Sequence, residues 1–414
     1  MRIIERRITL NFAGSLADLG RFYRDNGEPV RLIISKADGE HFHCDISILE
    51  SDKNYKSDFF SFVNTPSRYG DEFRVALMIP TGLGASVGGH AGDAGATSRL
   101  LASVCDTLVT HPNVVNASDI NEMTDNTFYV EGYAFTEHLM GKIGLQKVRQ
   151  NRVLVILDGS ADDKNIDATI NIVNAARATY GLNCPEVIIL DSSFRMKSMI
   201  SSNGRAIGIV DNLDELFNVL RELEGQYDAV ALASLVNVSQ FARDNYYHNG
   251  GVNPWGGVEA MLTHAISSYF RVPCAHSPMM ESDEVAELNY GVIDPRDGAE
   301  VVSLTYFPCV LKGLNRAPQL CEPNTDVSCL VTPRMCLGLP ALAAHERGIP
   351  IIAVNDSLEV EAVNCTDYVS AIVVDNYIEA AGIVSALRAG INIESLRRPL
   401  EKVKVSKLCM NTNV

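Results

Sequence analysis

The chain has 414 residues, 46% of them hydrophobic and 21% charged, with a formal net charge of −16 at pH 7. These are the proportions of an ordinary soluble globular protein, and no apolar run approaches the ~18–20 residues of a membrane helix. The acidic balance speaks against a nucleic-acid partner, because phosphate-backbone binding relies on clustered Lys and Arg.

The chain starts "MRIIERRITLNFAG", which is charged and then alternating, with no apolar signal core. A cytoplasmic protein with no membrane partner is expected. Ten cysteines without a single Cys-x-x-Cys read as reduced thiols. The spacing of Cys321, Cys329 and Cys336 is too wide for a knuckle-type zinc site.

Residues 1–72 predict a small α+β unit. "RRITLNF" alternates like a strand, and "SLADLGRFYRDNG" has a cap at Ser15 and a terminal Gly27. "VRLIISKADGEHFHCDISILE" reads as a hairpin around Asp38-Gly39, which leaves His41 and His43 at its surface. The polar "NTPSRYGDE" then reads as a linker.

From residue 73 to about 395 short Val- and Ile-rich strands alternate with helices. Examples are "RVALMIP", "RVLVILDG", the helix "IDATINIVNAARATYG" closed by Gly181, "YDAVALASLV", "VSCLVTP", "IPIIAVND" and "YIEAAGIVSALRAG". This rhythm predicts an α/β fold, a mainly parallel sheet with Rossmann-like βα units. Residues 396–414 read as a basic, solvated tail.

Ligands collect at the carboxyl ends of such strands, so the loops there carry the functional reading. In "IPTGLGASVGGHAGDAG", Gly82 and Gly84 begin a dinucleotide fingerprint, but Val87 stands where the third glycine belongs, and no Lys completes a P-loop. NAD is therefore not expected. The glycines still permit close backbone approach to an anion, and Thr81, Gly82, Gly84, His90 and Asp93 are candidate binding residues; the bland alternative is a loop shaped for chain reversal. In "THPNVVNASD", His111 is a candidate acid/base, and Asn113 and Asn116 are candidate holders; the alternative is a capped Asx turn.

The segment "GGVNPWGGVEAMLTHAISSYFRVPCAHSP" adds Asn253, Glu259, His264, Cys274 and His276. Glu259 and His264 are about 140° apart on a helix, so they are not expected to point directly into one site. Cys274 and His276 share a face if extended. In "LTYFPCVLKGLNRAPQ", Cys309 ends a strand-like run and is a candidate nucleophile beside the reading of a small buried hydrophobe. Arg316 is a candidate clamp for a carboxylate or phosphate. No Gly-x-Ser-x-Gly occurs.

The motifs "IPTGLGASVGGHAGDA", "THPNVVNAS", "YVEGY", "VRQNRV", "GGVEAMLTH", "PCAH" and "FPCVLKGLNRAPQ" resemble, in order, a domain-of-unknown-function family, number 3326. The resemblance runs from about Phe73 to "YIEAAGIVSALRAGIN" and implies a shared cytosolic α/β fold with a polar pocket. It implies no activity.

The expected function is an enzyme acting on a small anionic metabolite by non-redox chemistry of the lyase, isomerase or hydrolase type. The Gly-rich loop and Arg316 would hold the anion, His111 and His276 would move protons, and Cys309 or Glu259 would act beside them. A variant uses a divalent metal held by some of His90, His111, His264 and His276 with Asp93 or Glu259. The alternative of another class is a non-catalytic metabolite-binding or regulatory protein, with assembly into a homo-oligomer through the N-terminal unit as a further expectation.

Overall fold

The computed structural model describes residues 1–51, 58–63, 70–117, 120–279, 292–301, 306–324 and 326–406. Most of the expected linker, Ser118 and Asp119 of the second loop, and the last eight residues of the tail lie outside these. In chain order the strands are β1 (Arg2–Asn11), β2 (Glu28–Asp38), β3 (His41–Glu50), β4 (Arg74–Leu77), β5 (Thr107–Thr110), β6 (Asn116–Ala117), β7 (Ile120–Asn121), β8 (Thr127–Tyr129), β9 (Gly144–Gln146) and β10 (Val153–Leu157). They continue with β11 (Val187–Ile189), β12 (Arg195–Ile200), β13 (Ala206–Asp211), β14 (Ala229–Asn237), β15 (Cys274–Met279), β16 (Gln319–Cys321), β17 (Cys329–Pro333), β18 (Ile351–Val354) and β19 (Ile372–Val374). The helices through residue 270 are α1 (Leu16–Phe22), α2 (Gly95–Ala102), α3 (Pro112–Val115), α4 (Gly132–Leu139), α5 (Asp163–Tyr180), α6 (Asp214–Glu222), α7 (Gln240–Asn249) and α8 (Gly256–Phe270).

Two large sheets result. The six-stranded sheet, in the order β19-β18-β17-β4-β5-β8, is parallel throughout. Its strands are short and almost wholly apolar, as expected of a sheet covered on both faces. The chain winds outward from β4 to β8, leaves, and returns at β17 to wind the other way. A switch point therefore lies between β4 and β17, where the loops after the two strands part and leave a crevice.

The nine-stranded sheet corrects the expectation of mainly parallel pairing. Strands β11, β10, β14 and β15 run parallel, and β12 joins β14 parallel at Met196 and Lys197. From β12 the sheet continues antiparallel through β13, β1, β3 and β2. The cause is local: β2 and β3 are joined at Gly39, whose φ of +61° permits a tight turn, and a tight turn can join only antiparallel neighbours. The N-terminal strands thus lie in the same sheet as β10–β15.

Helix ends follow the sequence signals. The Ser15 hydroxyl accepts the Ala17 N–H at α1, and Gly181 closes α5 in the left-handed conformation at φ +72°. Helix α8 is largely buried and packs on β13, β15 and β2 of the nine-stranded sheet and on α4. The nine cysteines of the described residues are all free. Among the described residues no helix is long and apolar enough to cross a membrane.

Candidate active site

The amino half of α8 reaches a cavity of about 170 Å³ between the carboxyl ends of β5, β8 and β15. Two glycines make this approach possible. A Cβ on Gly256 would lie 2.3 Å from Thr81 Cγ2, and one on Gly132 would lie 2.5 Å from His264 Nε2. Glu131, Glu259 and Glu300 line the cavity with His111, His264 and His276, while no lysine or arginine is among its described walls. Thr81, Asn113, Asn116 and Asn253 supply neutral polar groups, and Tyr247, Trp255 and Tyr306 supply aromatic surface.

Two Glu–His pairs occupy this space. In the first, His276 Nδ1 lies 2.8 Å from Glu259 Oε1 and its Nε2 lies 2.8 Å from Ser234 Oγ. The spacing is that of a serine–histidine–carboxylate triad, but its orientation is reversed. Ser234 is fully buried in β14, the His276 side chain is 0% exposed, and Glu259 is the member open to the cavity, with its side chain 20% exposed. Serine and imidazole therefore hold the carboxylate from behind, leaving Glu259 Oε2 for a ligand. The Ser234 hydroxyl also has Met196 Sδ within 3.2 Å, so it has an acceptor on either side.

In the second pair, Glu131 caps α4, its Oε2 accepting the N–H groups of Tyr133 at 2.8 Å and Ala134 at 3.3 Å. Its Oε1 accepts the Thr263 hydroxyl at 3.3 Å and lies 3.1 Å from His264 Nε2. His264 Nδ1 donates to the Val30 carbonyl at 3.0 Å, because a carbonyl can only accept. Burial pushes the Glu131 carboxyl up to about 8 and the His264 imidazole down to about 3. Both groups are then neutral at pH 7, and the proton between them belongs to Glu131, donated to a bare Nε2.

His111 is fixed by the same logic. The Ile79 N–H donates to its Nε2 at 3.2 Å, so the ring proton sits on Nδ1. Burial lowers its pKa to about 4, and the neutral ring presents Nδ1–H as a donor.

A third cluster closes one wall. Glu300 Oε1 accepts the Ala91 N–H at 2.5 Å and Asn253 Nδ2 at 3.0 Å, and its Oε2 accepts the Tyr246 hydroxyl at 2.9 Å. Burial pushes Glu300 up to about 7. His90 Nδ1 lies 2.5 Å from both Tyr246 Oη and Asp297 Oδ1, and only the tyrosine contact has hydrogen-bond geometry. Burial lowers His90 and raises Asp297. The hydrogen bonds among Glu300, Tyr246, Asn253 and His90 tie the Gly-rich loop to α7 and the segment 292–301.

The structure thus brings Thr81, His111, Asn113, Asn116, Asn253, Glu259, His264 and His276 to one cavity. Glu259 and His264 share it despite their angular separation, because they stand at the two margins of the face of α8, with Gly256, Ala260 and Thr263 between them, that lines the cavity. His90 stands behind the wall. Gly82 packs on Ala206 and Gly84 on Glu359, so the loop's glycines serve protein contacts. Asp93 accepts the Gly88 N–H at 2.8 Å and pairs with Arg296 at 3.3 Å, shaping the same loop.

Two expected residues are elsewhere. Cys309 lies in the first turn of the helix Phe307–Asn315, fully buried, with its Sγ 3.8 Å from the Ala117 carbonyl. Arg316 follows that helix at the surface and pairs with Asp125 at 2.9 Å. Among the described residues no three His, Cys, Asp or Glu side chains come together as a metal-ligand set. Glu131, Glu300, Tyr246 and Tyr306 escaped the sequence reading. A signal for Glu131 existed in "YVEGY", where a carboxylate stands directly before a helix.

Fold and cavity together define an α/β protein of two sheets, with a carboxylate–imidazole cavity enclosed between them. A family model described as "Protein of unknown function (DUF3326)" matches residues 74–397, and the chain belongs to that family. The chain is also similar to an uncharacterized lipoprotein of Synechococcus sp., 31% identical over 341 residues, which cover 79% of this chain and 94% of that protein. No solved structure matches.

Proposed function

We propose that the protein is an enzyme acting on a small anionic metabolite by non-redox proton transfer, of the isomerase or lyase type. The observation that supports this reading is the open Oε2 of Glu259, backed by His276 and Ser234, in the same cavity as the Nδ1–H of a neutral His111. Glu259 takes a proton from a carbon next to a carbonyl. The C–H electron pair moves into the new C=C bond as the carbonyl pair moves onto oxygen, where His111 Nδ1–H donates to the enolate. Where the carbon that loses the proton carries a hydroxyl, that hydroxyl gives up its proton and becomes the new carbonyl as Glu259 returns the first proton to the former carbonyl carbon, which gives isomerisation; departure of a β-substituent with its bonding pair, as the original carbonyl re-forms, gives elimination. Hydrolysis through a covalent intermediate is disfavoured, because Cys309 and Ser234 do not line the cavity.

The test is solvent-deuterium exchange. Small carbonyl acids are incubated with the protein in D₂O, and the α-proton signal is followed by NMR. Wild type should wash the α-proton out of one member, and Glu259→Gln should not. A metabolite that co-purifies in native mass spectrometry but neither exchanges nor reacts would replace this reading by the non-catalytic, metabolite-binding one.

For location, residues 2–11 form a strand inside the nine-stranded sheet, which supports their remaining with the folded protein. Recovery in the soluble cell fraction supports the cytoplasmic reading. Recovery in membranes with a lipid-modified residue would favour the description carried by the Synechococcus protein.

A further inference from the structure

Beside the first cavity lies a second, of about 150 Å³, at the switch point between β4 and β17. The two share Thr81, His111, Gly132, Ala260 and His264 as a common wall. Their ionisable groups differ in kind. The first is lined by three glutamates and no Arg or Lys; the second is lined by Arg31 and Arg205 and by no Asp or Glu among the described residues.

Arg205 is 0% exposed, donates through Nη2 to the Ile34 carbonyl at 3.4 Å, and leaves Nε and Nη1 without a hydrogen-bond partner among the described residues. Arg31 is also buried and is held by carbonyls, donating to Gly257 at 3.1 Å and to Thr81 at 3.4 Å. The carboxylates nearest to them in electrostatic effect, Glu5 and Asp45, do not line the cavity. Gly338 and Pro340 line the opposite side, where the eight-residue helix Leu339–Glu346 begins. Its N-cap, Gly338, has no side chain to bond the first-turn N–H groups, so the positive end of the helix is uncapped there.

We infer that this second cavity is an anion subsite, which holds a carboxylate or phosphoryl group of the substrate between Arg31, Arg205 and the start of the helix Leu339–Glu346. The inference rests on reading the first cavity as the place of reaction. The substrate then spans the shared wall, its anionic end on the arginine side and its reacting carbon beside Glu259. Ile34, Ile79, Phe135 and Leu337 are also among the walls of the second cavity and suit a short hydrocarbon stem next to the charge. An anion there completes the donors that Arg205 leaves open, which a buried guanidinium otherwise lacks at considerable cost.

The test uses Gly338→Asp. Gly338 is extended at φ −158°, and a Cβ there meets only Pro340 Cδ at 3.6 Å, so aspartate fits. Aspartate is also a favoured N-cap, so this variant should fold at least as stably as wild type while placing a negative charge in the subsite. Binding of inorganic phosphate and of butyrate is measured by calorimetry and by thermal midpoint, against sodium chloride of equal ionic strength. Wild type should bind at least one of the two saturably. Gly338→Asp should weaken that binding about tenfold or more, and the neutral cap Gly338→Asn should largely retain it.

The inference falls if neither anion binds beyond the chloride control, or if Gly338→Asp binds as well as wild type. These measurements need no turnover, so they stand apart from the proton-transfer reading. Glu259→Gln should keep anion binding while losing deuterium exchange.

Discussion

The two Glu–His pairs that line the cavity have the same chemical parts and opposite patterns of hydrogen bonding. Glu131 spends every contact within the protein: two helix N–H groups, a threonine hydroxyl and an imidazole surround its two oxygens. Glu259 has one oxygen on His276 and the other open. What separates a structural carboxylate from a reactive one is therefore the count of free lone pairs on the cavity side. Burial follows the same division, with the Glu131 side chain 2% and the Glu259 side chain 20% exposed, although both pairs stand on the same helix, α8, through Glu259 and His264.

The largest expected effect breaks this comparison directly. Glu259→Gln should lower deuterium exchange by about 10²–10⁴, the usual worth of a positioned general base. Its unfolding midpoint should stay close to that of wild type, because the amide keeps a polar partner for His276. Glu131→Gln should leave exchange within a fewfold of wild type. Equal losses in the two variants would end the distinction between the pairs.

Stability should respond in the opposite order. Glu131→Ala removes the α4 cap and leaves His264 and Thr263 facing a void, with an expected loss of about 2–4 kcal/mol in denaturant unfolding. Glu131→Gln reproduces a protonated carboxyl, with an oxygen for the helix and an N–H for His264, and should cost within about 1 kcal/mol.

The pH dependence sharpens the same point. Burial lifts the Glu131 pKa from an ordinary 4.5 to about 8, so between these values the native state holds a proton that the unfolded chain has released. Its contribution is complete below pH 4.5 and is lost as pH rises through 8, at most about 1.4 kcal/mol per pH unit. The stability of wild type relative to Glu131→Gln should therefore decline as pH rises across that window and level off above it. A difference that is flat with pH would mean that Glu131 is ionised in the native state.

The sequence discloses these features unevenly, for physical reasons. Strands such as β4, β10 and β17 are legible because both faces are covered and their residues, Arg74 and Thr332 aside, are apolar. The antiparallel continuation through β12 and β13 is less so: "RMKSMI" is partly exposed and carries polar residues, so its pattern is weak. The loops at strand ends point to the cavity, since His111, Asn253 and Glu259 lie where the chain leaves the sheet or enters a helix. Arg31 shows what a local pattern misses. It stands in the hairpin strand "VRLIISK" and is not among the candidate residues, yet α8 packs on that strand, and its guanidinium ends on the Gly257 carbonyl of α8 itself. Cys309 and Arg316 go the other way. Pro308 in the first turn marks "FPCVLKGLN" as a helix, which removes the strand end on which their functional reading depended.

The smallest expected effect concerns Ser234, a positioning residue that acts through His276. Its hydroxyl can donate to His276 Nε2 when the imidazole is neutral and turn to Met196 Sδ when both ring nitrogens carry protons. The serine can thus follow the imidazole through a change of charge without leaving a buried nitrogen unpaired. Ser234→Ala removes one hydroxyl from a fully buried strand position, a change that should cost about 1 kcal/mol of stability or a little more. If the serine only fills space, exchange should be unaltered at every pH. If it supports the relay, the rate should fall about three- to tenfold with KM unchanged, and the pH profile of the rate should move, because the imidazole loses its partner in one protonation state only. Measuring the profile in Ser234→Ala and in Glu131→Gln side by side decides which of the two pairs the reaction uses: the moving profile belongs to the pair that carries the proton.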